Sequence, residues 1–142
     1  EGGVATPLIV HWPAGVKAKG ALRHAPSHLI DIAPTCLAAA GLKGEGMEGE
    51  SLLPVFTKDQ RQQRTLFWEH EGNRAVRKGD YKLVAMHNTP WELYDMSKDR
   101  SELKDLSSAM PKKAEELRSA YEAWAKRVGA KPWDEVNVKK KK

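Results

Sequence analysis

The run Trp68-Glu69-His70-Glu71-Gly72-Asn73-Arg74 places an imidazole, two carboxylates, a glycine and a guanidinium within one turn. Such groups at the end of a strand suit the binding of a charged substrate, because a rigid scaffold holds them while solvent keeps them accessible. The same composition also describes an ordinary solvated turn, and the residues alone leave both readings open. His24 and His28 stand four apart, the spacing of two metal ligands on one helical turn. Pro26 lies between them and no carboxylate follows His24, so surface or capping histidines are expected instead. Cys36 is the single thiol, and a nucleophilic cysteine needs nearby positive charge to form its thiolate. Its neighbours, Thr35 and Leu37-Ala38-Ala39-Ala40, supply none, which predicts a buried, inert cysteine. There is no phosphate loop, zinc-type cysteine repeat, Gly-x-Ser-x-Gly elbow or dinucleotide fingerprint.

These candidates sit on elements that the pattern makes legible. Residues 66–70, 74–77, 81–87 and 91–95 are four short β runs, the middle pair joined by Lys78-Gly79-Asp80 and the last pair by Asn88-Thr89-Pro90. The simplest topology is an antiparallel meander. Ala114, Leu117, Tyr121, Trp124 and Val128 then recur at spacings of three and four, with Pro111 suited to the first turn and Gly129 and Pro132 to the stop. That helix is expected to lie across the meander, its aromatic stripe serving as core.

Upstream, residues 7–12 form an apolar run without alternation, which predicts a strand buried on both faces, although nothing else in the chain looks like its partner. Asp31 can cap a helix with Pro34 in its first turn, Ile32, Cys36, Leu37 and Ala40 as its apolar face, and Gly41 in a left-handed cap. Residues 42–64 read as a long loop in which only 51–56 look ordered.

Of the 142 residues, 24 are Lys or Arg and 19 Asp or Glu; 40% are apolar and 30% charged. This balance is that of a globular domain and excludes disordered and collagenous classes. No apolar run approaches the roughly 20 residues of a membrane helix. One cysteine cannot form an internal disulfide scaffold. Four of the five net positive charges are the lysines at 139–142, so the body is nearly neutral and nucleic acid is not an expected partner. The sequence starts at Glu1, with neither Met nor the pattern of a signal peptide, and is expected to be the tail of a longer chain.

Several segments, in order, resemble the C-terminal portion of a type I sulfatase of the arylsulfatase family. They are Glu1-Gly2-Gly3-Val4-Ala5-Thr6-Pro7 and the run to Trp12, Ile30-Asp31-Ile32-Ala33-Pro34-Thr35, and Gly49-Glu50-Ser51-Leu52-Leu53-Pro54. The series continues through residues 68–77, Gly79, Tyr81-Lys82-Leu83-Val84, Trp91-Glu92-Leu93-Tyr94-Asp95, Asp99, Glu102 and Asp105-Leu106. The resemblance implies an α+β fold: a small antiparallel four-stranded sheet packed by a C-terminal helix, plus an orphan strand and helix that belong to a larger alkaline-phosphatase-like α/β domain. Residues 1–64 would end that large domain, 65–130 would be the C-terminal subdomain, and 131–142 a basic tail.

The resemblance further implies a formylglycine nucleophile, made from Cys or Ser in a Cys/Ser-x-Pro/Ala-x-Arg motif, whose hydrate attacks the sulfur of a sulfate ester. It implies calcium, held by Asp and Asn side chains, with Lys, His and Arg neutralising the sulfate oxygens. This chain lacks the motif, since Leu37 and Ala38 follow Cys36. Neither catalytic residues nor metal ligands carry over, and the chain alone is expected to be inactive. His70, Asn73 and Arg74 would approach the rim of the substrate pocket as substrate or sulfate contacts. Asp31, Pro34 and Thr35 would start a helix, and Tyr94 and Asp95 would pack a strand end. The implied partners are a sulfate ester and the upstream domain, and export to the periplasm or the cell exterior is implied for the parent. The uncovered apolar residues of 8–12 and of the Asp31 helix would favour self-association. A different reading, a stand-alone module that binds anionic or sulfated glycans, would rest on the basic tail.

Overall fold

The structure is a computed structural model that describes residues 1–59 and 64–137. It forms two compact units: residues 5–59, and residues 1–4 with 64–137. The lysine tail at 139–142, and residues 60–63 of the long loop, lie outside the described residues.

The second unit is a four-stranded antiparallel sheet in the order β1-β2-β3-β4, with β1 Thr65–His70, β2 Asn73–Lys78, β3 Tyr81–Ala85 and β4 Glu92–Asp95. The register places Phe67 opposite Val76, Val76 opposite Leu83 and Leu83 opposite Leu93, so one apolar row crosses all four strands. Side chains alternate between faces along a strand, and this row therefore defines one face. Helix α3, Pro111–Val128, covers it, and Val76, Leu83, Leu93, Leu117 and Tyr121 make the buried cluster. Each such side chain contributes about 1.5–3 kcal/mol by leaving water. Pro111 opens α3 and Gly129 closes it at φ 71°, with the Ala130 N–H returning to the Ala125 carbonyl. The meander and its covering helix are as the sequence predicts; the third strand stops at Ala85, two residues early.

The other face buries a charge. Lys82, next in chain to Leu83, is 3% exposed, and its ammonium lies 2.7 Å from Glu102 and 3.1 Å from Glu1. Residues 131–137, read as tail, include a short helix α4, Trp133–Val136.

The first unit has little regular structure: a 3-10 turn Leu29–Asp31, helix α1 Ile32–Ala39 and helix α2 Leu53–Thr57. Residues 8–12 form no strand within this chain, because a β-strand exists only by pairing and no described segment pairs with them; Ile9 is 89% exposed. Asp31 makes no side-chain cap on α1. It reaches back to the His28 N–H at 2.7 Å and across to the Glu50 N–H at 3.0 Å, while the His28 ring accepts from the Ile30 N–H. Thr35 completes the join, donating to the Asp31 carbonyl and accepting from the Leu52 N–H. Asp31 is thus a buried clip between the helix start and the loop at 50–52. Gly41 closes α1 as predicted, with the Leu42 N–H on the Leu37 carbonyl. The predicted apolar face is not buried: Ile32, Cys36 and Ala40 are exposed, and Leu37 only half-buried. That face is uncovered, as expected, but the expectation of a buried cysteine fails, since one short helix and a loop offer too little apolar surface to cover that side.

Candidate functional site at the β1–β2 hairpin

Glu71 and Gly72 join β1 to β2 with φ 53° and 81°, the two successive positive values of a mirror-image two-residue turn. This tight turn carries the polar cluster on two paired strand ends. The Glu69 carboxylate accepts from the Gly72 N–H at 3.0 Å, and the Asn73 side-chain amide donates to the His70 carbonyl at 2.9 Å. Asn73 also accepts from the His87 N–H at 3.2 Å, which ties the hairpin to the β3–β4 loop. Both ends of its amide are thereby engaged within the fold.

Strand alternation separates the three sequence-predicted contacts. His70 and Asn73, opposite each other in register, lie on one face, and Arg74 lies on the face that α3 covers. The His70 ring is exposed and makes no hydrogen bond among the described residues. Arg74 is half-buried, with its guanidinium carbon 4.7 Å from the centre of the Trp91 ring. Its Nε is buried without a hydrogen-bond partner. Beneath, burial pushes the Tyr121 hydroxyl up to about 12; the Glu69 charge adds to that and the Arg74 charge opposes it. Tyr121 is therefore neutral at physiological pH.

The site includes residues that the sequence reading passed over. The His87 Nε2 lies 3.1 Å from the Asp134 carboxylate and 3.0 Å from the Asn88 amide, and a Cβ on Gly72 would collide with the His87 ring. Trp133 packs beside the same glycine. His87 and Asp134 are 47 residues apart, so no local motif announces the pair. Among the described residues no group of three or more His, Cys, Asp or Glu side chains could hold a metal ion. His28 is engaged in its turn, and His24 donates its backbone N–H to Asp59, so the two histidines hold loops.

The arrangement presents an exposed imidazole on one face and, on the other, a guanidinium that makes no ion pair among the described residues. Residues 1–126 match the family model described as N-sulphoglucosamine sulphohydrolase, C-terminal. An uncharacterised sulfatase of Schizosaccharomyces pombe is 33% identical, with 82% of this chain and 24% of that protein covered. Arylsulfatase K of Danio rerio is 32% identical over 82% of this chain and 25% of its own length, and N-acetylgalactosamine-6-sulfatase of Mus musculus 33% identical over 70% and 20%. Among solved structures, Ps i-CgsB superposes with a TM-score of 0.70 at 27% identity, covering 81% of this chain and 27% of that one. A protein solved in complex with its substrate D-glucosamine-2-N,6-O-disulfate superposes with a TM-score of 0.64 at 26% identity, covering 94% and 30%. The chain spans a quarter or less of the curated relatives it matches. The order of motifs, the meander under one helix and these matches agree, and the chain belongs to the sulfatase family as a C-terminal portion.

Proposed function

We propose that the protein carrying this chain is a sulfuric ester hydrolase, and that this chain contributes to substrate recognition while the chemistry resides elsewhere in the protein. The observation that carries the reading is the family match through residue 126, which includes the hairpin. In this reading a formylglycine hydrate, formed outside the chain, attacks the sulfur of the ester as the S–O bond to the alcohol breaks, and the alcohol leaves with a proton. A calcium ion would also be held outside this chain, and there would supply positive charge to offset that of the sulfate oxygens. Cys36 is not the nucleophile: it is followed by Leu37 and Ala38 and stands on the exposed side of α1. His70 and Arg74 contribute donors to an anionic substrate, and Asn73 holds the hairpin that presents them. The substrate class is a sulfated amino sugar, a choice supported by the names of the family and of two of the relatives. The working compartment is the periplasm or the cell exterior.

The test is an assay of the full-length protein and of this 142-residue chain with 4-nitrophenyl sulfate and with glucosamine 6-sulfate. Turnover by the full-length protein and none by the chain is the expected result. Turnover by the chain alone would place the nucleophile within it and overturn the division of labour. An inert full-length protein, tested with its conversion to formylglycine verified by mass spectrometry, would overturn the hydrolase reading.

A further inference from the structure

Arg74 is held by an aromatic relay rather than by a carboxylate. Its guanidinium carbon lies 4.7 Å from the Trp91 ring centre. Trp91 meets Tyr121 edge-on at 5.3 Å, Tyr121 leans on Trp124 at 5.5 Å, and Trp124 stacks on Phe67 at 5.0 Å with the planes nearly parallel. The stripe that packs α3 on the sheet therefore runs on without interruption to the arginine. Glu69, opposite Arg74 in register, turns its carboxylate to the Gly72 N–H instead. Among the described residues Arg74 makes neither a hydrogen bond nor an ion pair, although its Nε is buried.

An arginine fixed by a carboxylate is already neutralised, whereas one fixed by a π face keeps its whole charge and its fork of donors. We infer that Trp91, backed by Tyr121, is a positioning residue that holds the Arg74 guanidinium uncompensated for a sulfate or carboxylate group of the bound substrate. This rests on the reading of Arg74 under Proposed function and adds the residues that set its orientation. Trp91 touches no substrate itself; it acts through the plane and tilt of the guanidinium.

The experiment compares Trp91→Leu, Trp91→Phe, Arg74→Ala and Arg74→Lys in the full-length protein. It measures kcat and KM with 4-nitrophenyl sulfate and calorimetric affinity for inorganic sulfate. Trp91→Leu is expected to raise KM and the sulfate Kd about five- to tenfold with kcat within about twofold, and Trp91→Phe to restore most of the loss, since a ring of either kind offers the π face. A merely structural role would lower kcat with folded fraction and leave KM alone. Arg74→Lys keeps the charge but not the plane, so it should weaken binding as Trp91→Leu does; it also reads the inference if Trp91→Leu does not fold. Arg74→Ala weakening binding while Trp91→Leu and Arg74→Lys leave it intact would overturn this inference alone. Unchanged binding in Arg74→Ala would overturn the reading of the site on which it rests. The sulfate affinities decide between these even where the full-length protein shows no turnover.

Discussion

In the unit built on the sheet, Val76, Leu83, Leu93 and Leu117 have no contact with solvent, whereas in residues 5–59 Ile9, Leu22 and Leu29 are 89%, 78% and 79% exposed. Both stretches carry apolar runs of similar strength. They differ in whether a second layer exists within the chain. A meander presents a flat apolar face that one 18-residue helix can cover, and sheet and helix follow each other in sequence. The first unit has an extended run with no pairing partner and an eight-residue helix, and it organises itself chiefly by polar clips at Asp31 and Thr35. Apolar patches exposed in this way mark surfaces for association.

The contrast breaks most visibly at Leu83. Leu83→Ala removes a fully buried side chain at the centre of the apolar row and should cost the sheet unit about 3 kcal/mol, read by urea unfolding. A loss below about 1 kcal/mol would mean that the sheet unit is no better packed than residues 5–59. Next comes the buried ammonium on the opposite face. Glu102→Gln leaves Lys82 with Glu1 alone and should cost about 2 kcal/mol.

The same contacts set the response to acid. Burial pushes the Glu102 and Glu1 carboxyls up, but the hydrogen bond and charge of Lys82, joined by the Glu1 amino group and, at Glu1, by Arg100, together outweigh it and hold both below the usual carboxylate range. Glu116, hydrogen-bonded by Lys113 and then Lys78, is held down at about 2. Carboxyls depressed in the folded state add stability that is complete above their unfolded values near 4.5 and is lost as pH falls toward about 2. Thermal melts over that window should show the loss, and Glu102→Gln should flatten it; an unchanged slope would remove the Lys82 cluster from the account.

A smaller effect is expected at the hairpin. Gly72→Ala meets a φ of 81° and the His87 ring, and should cost about 1–2 kcal/mol while releasing the Asn73–His87 bond, seen as a shift of the His87 amide resonance. Ile9→Asp should do least: stability within about 0.5 kcal/mol of the parent, together with weaker binding of an apolar dye and less self-association. A loss as large as that of Leu83→Ala would show that Ile9 is covered in solution.

The legibility of the fold follows the range of the interactions. The strands and α3 are local: alternation, Pro111 and Gly129 each act within a few residues, and the sequence predicts them closely. The run at 8–12 has strand composition, yet composition cannot provide the neighbour that a strand requires. The exposure of the apolar side of α1 agrees with the expectation that its residues lie uncovered in this chain, whereas burial is expected for Cys36 and not found, because helical spacing shows which residues share a side but not whether anything lies against it. At the site, the group from Trp68 to Arg74 was visible as a cluster of types. The separation of His70 and Asn73 from Arg74 follows from strand alternation and needs only the register. The roles of Trp91, His87 and Asp134 do not, since they reach the hairpin from the residue before β4, a loop and a helix.

By itself the amino-acid sequence determined the meander, its covering helix and the resemblance to the C-terminal portion of sulfatases, because each depends on near neighbours or on an ordered series of short motifs. The tertiary structure alone decided that Lys82 is buried between two carboxylates, that Asn73 ties the hairpin to His87, and that Arg74 rests on an aromatic ring with its charge uncompensated. These are contacts between residues 14 to 81 positions apart. The balance between burying a charge and pairing it is settled only when the chain has closed around both groups.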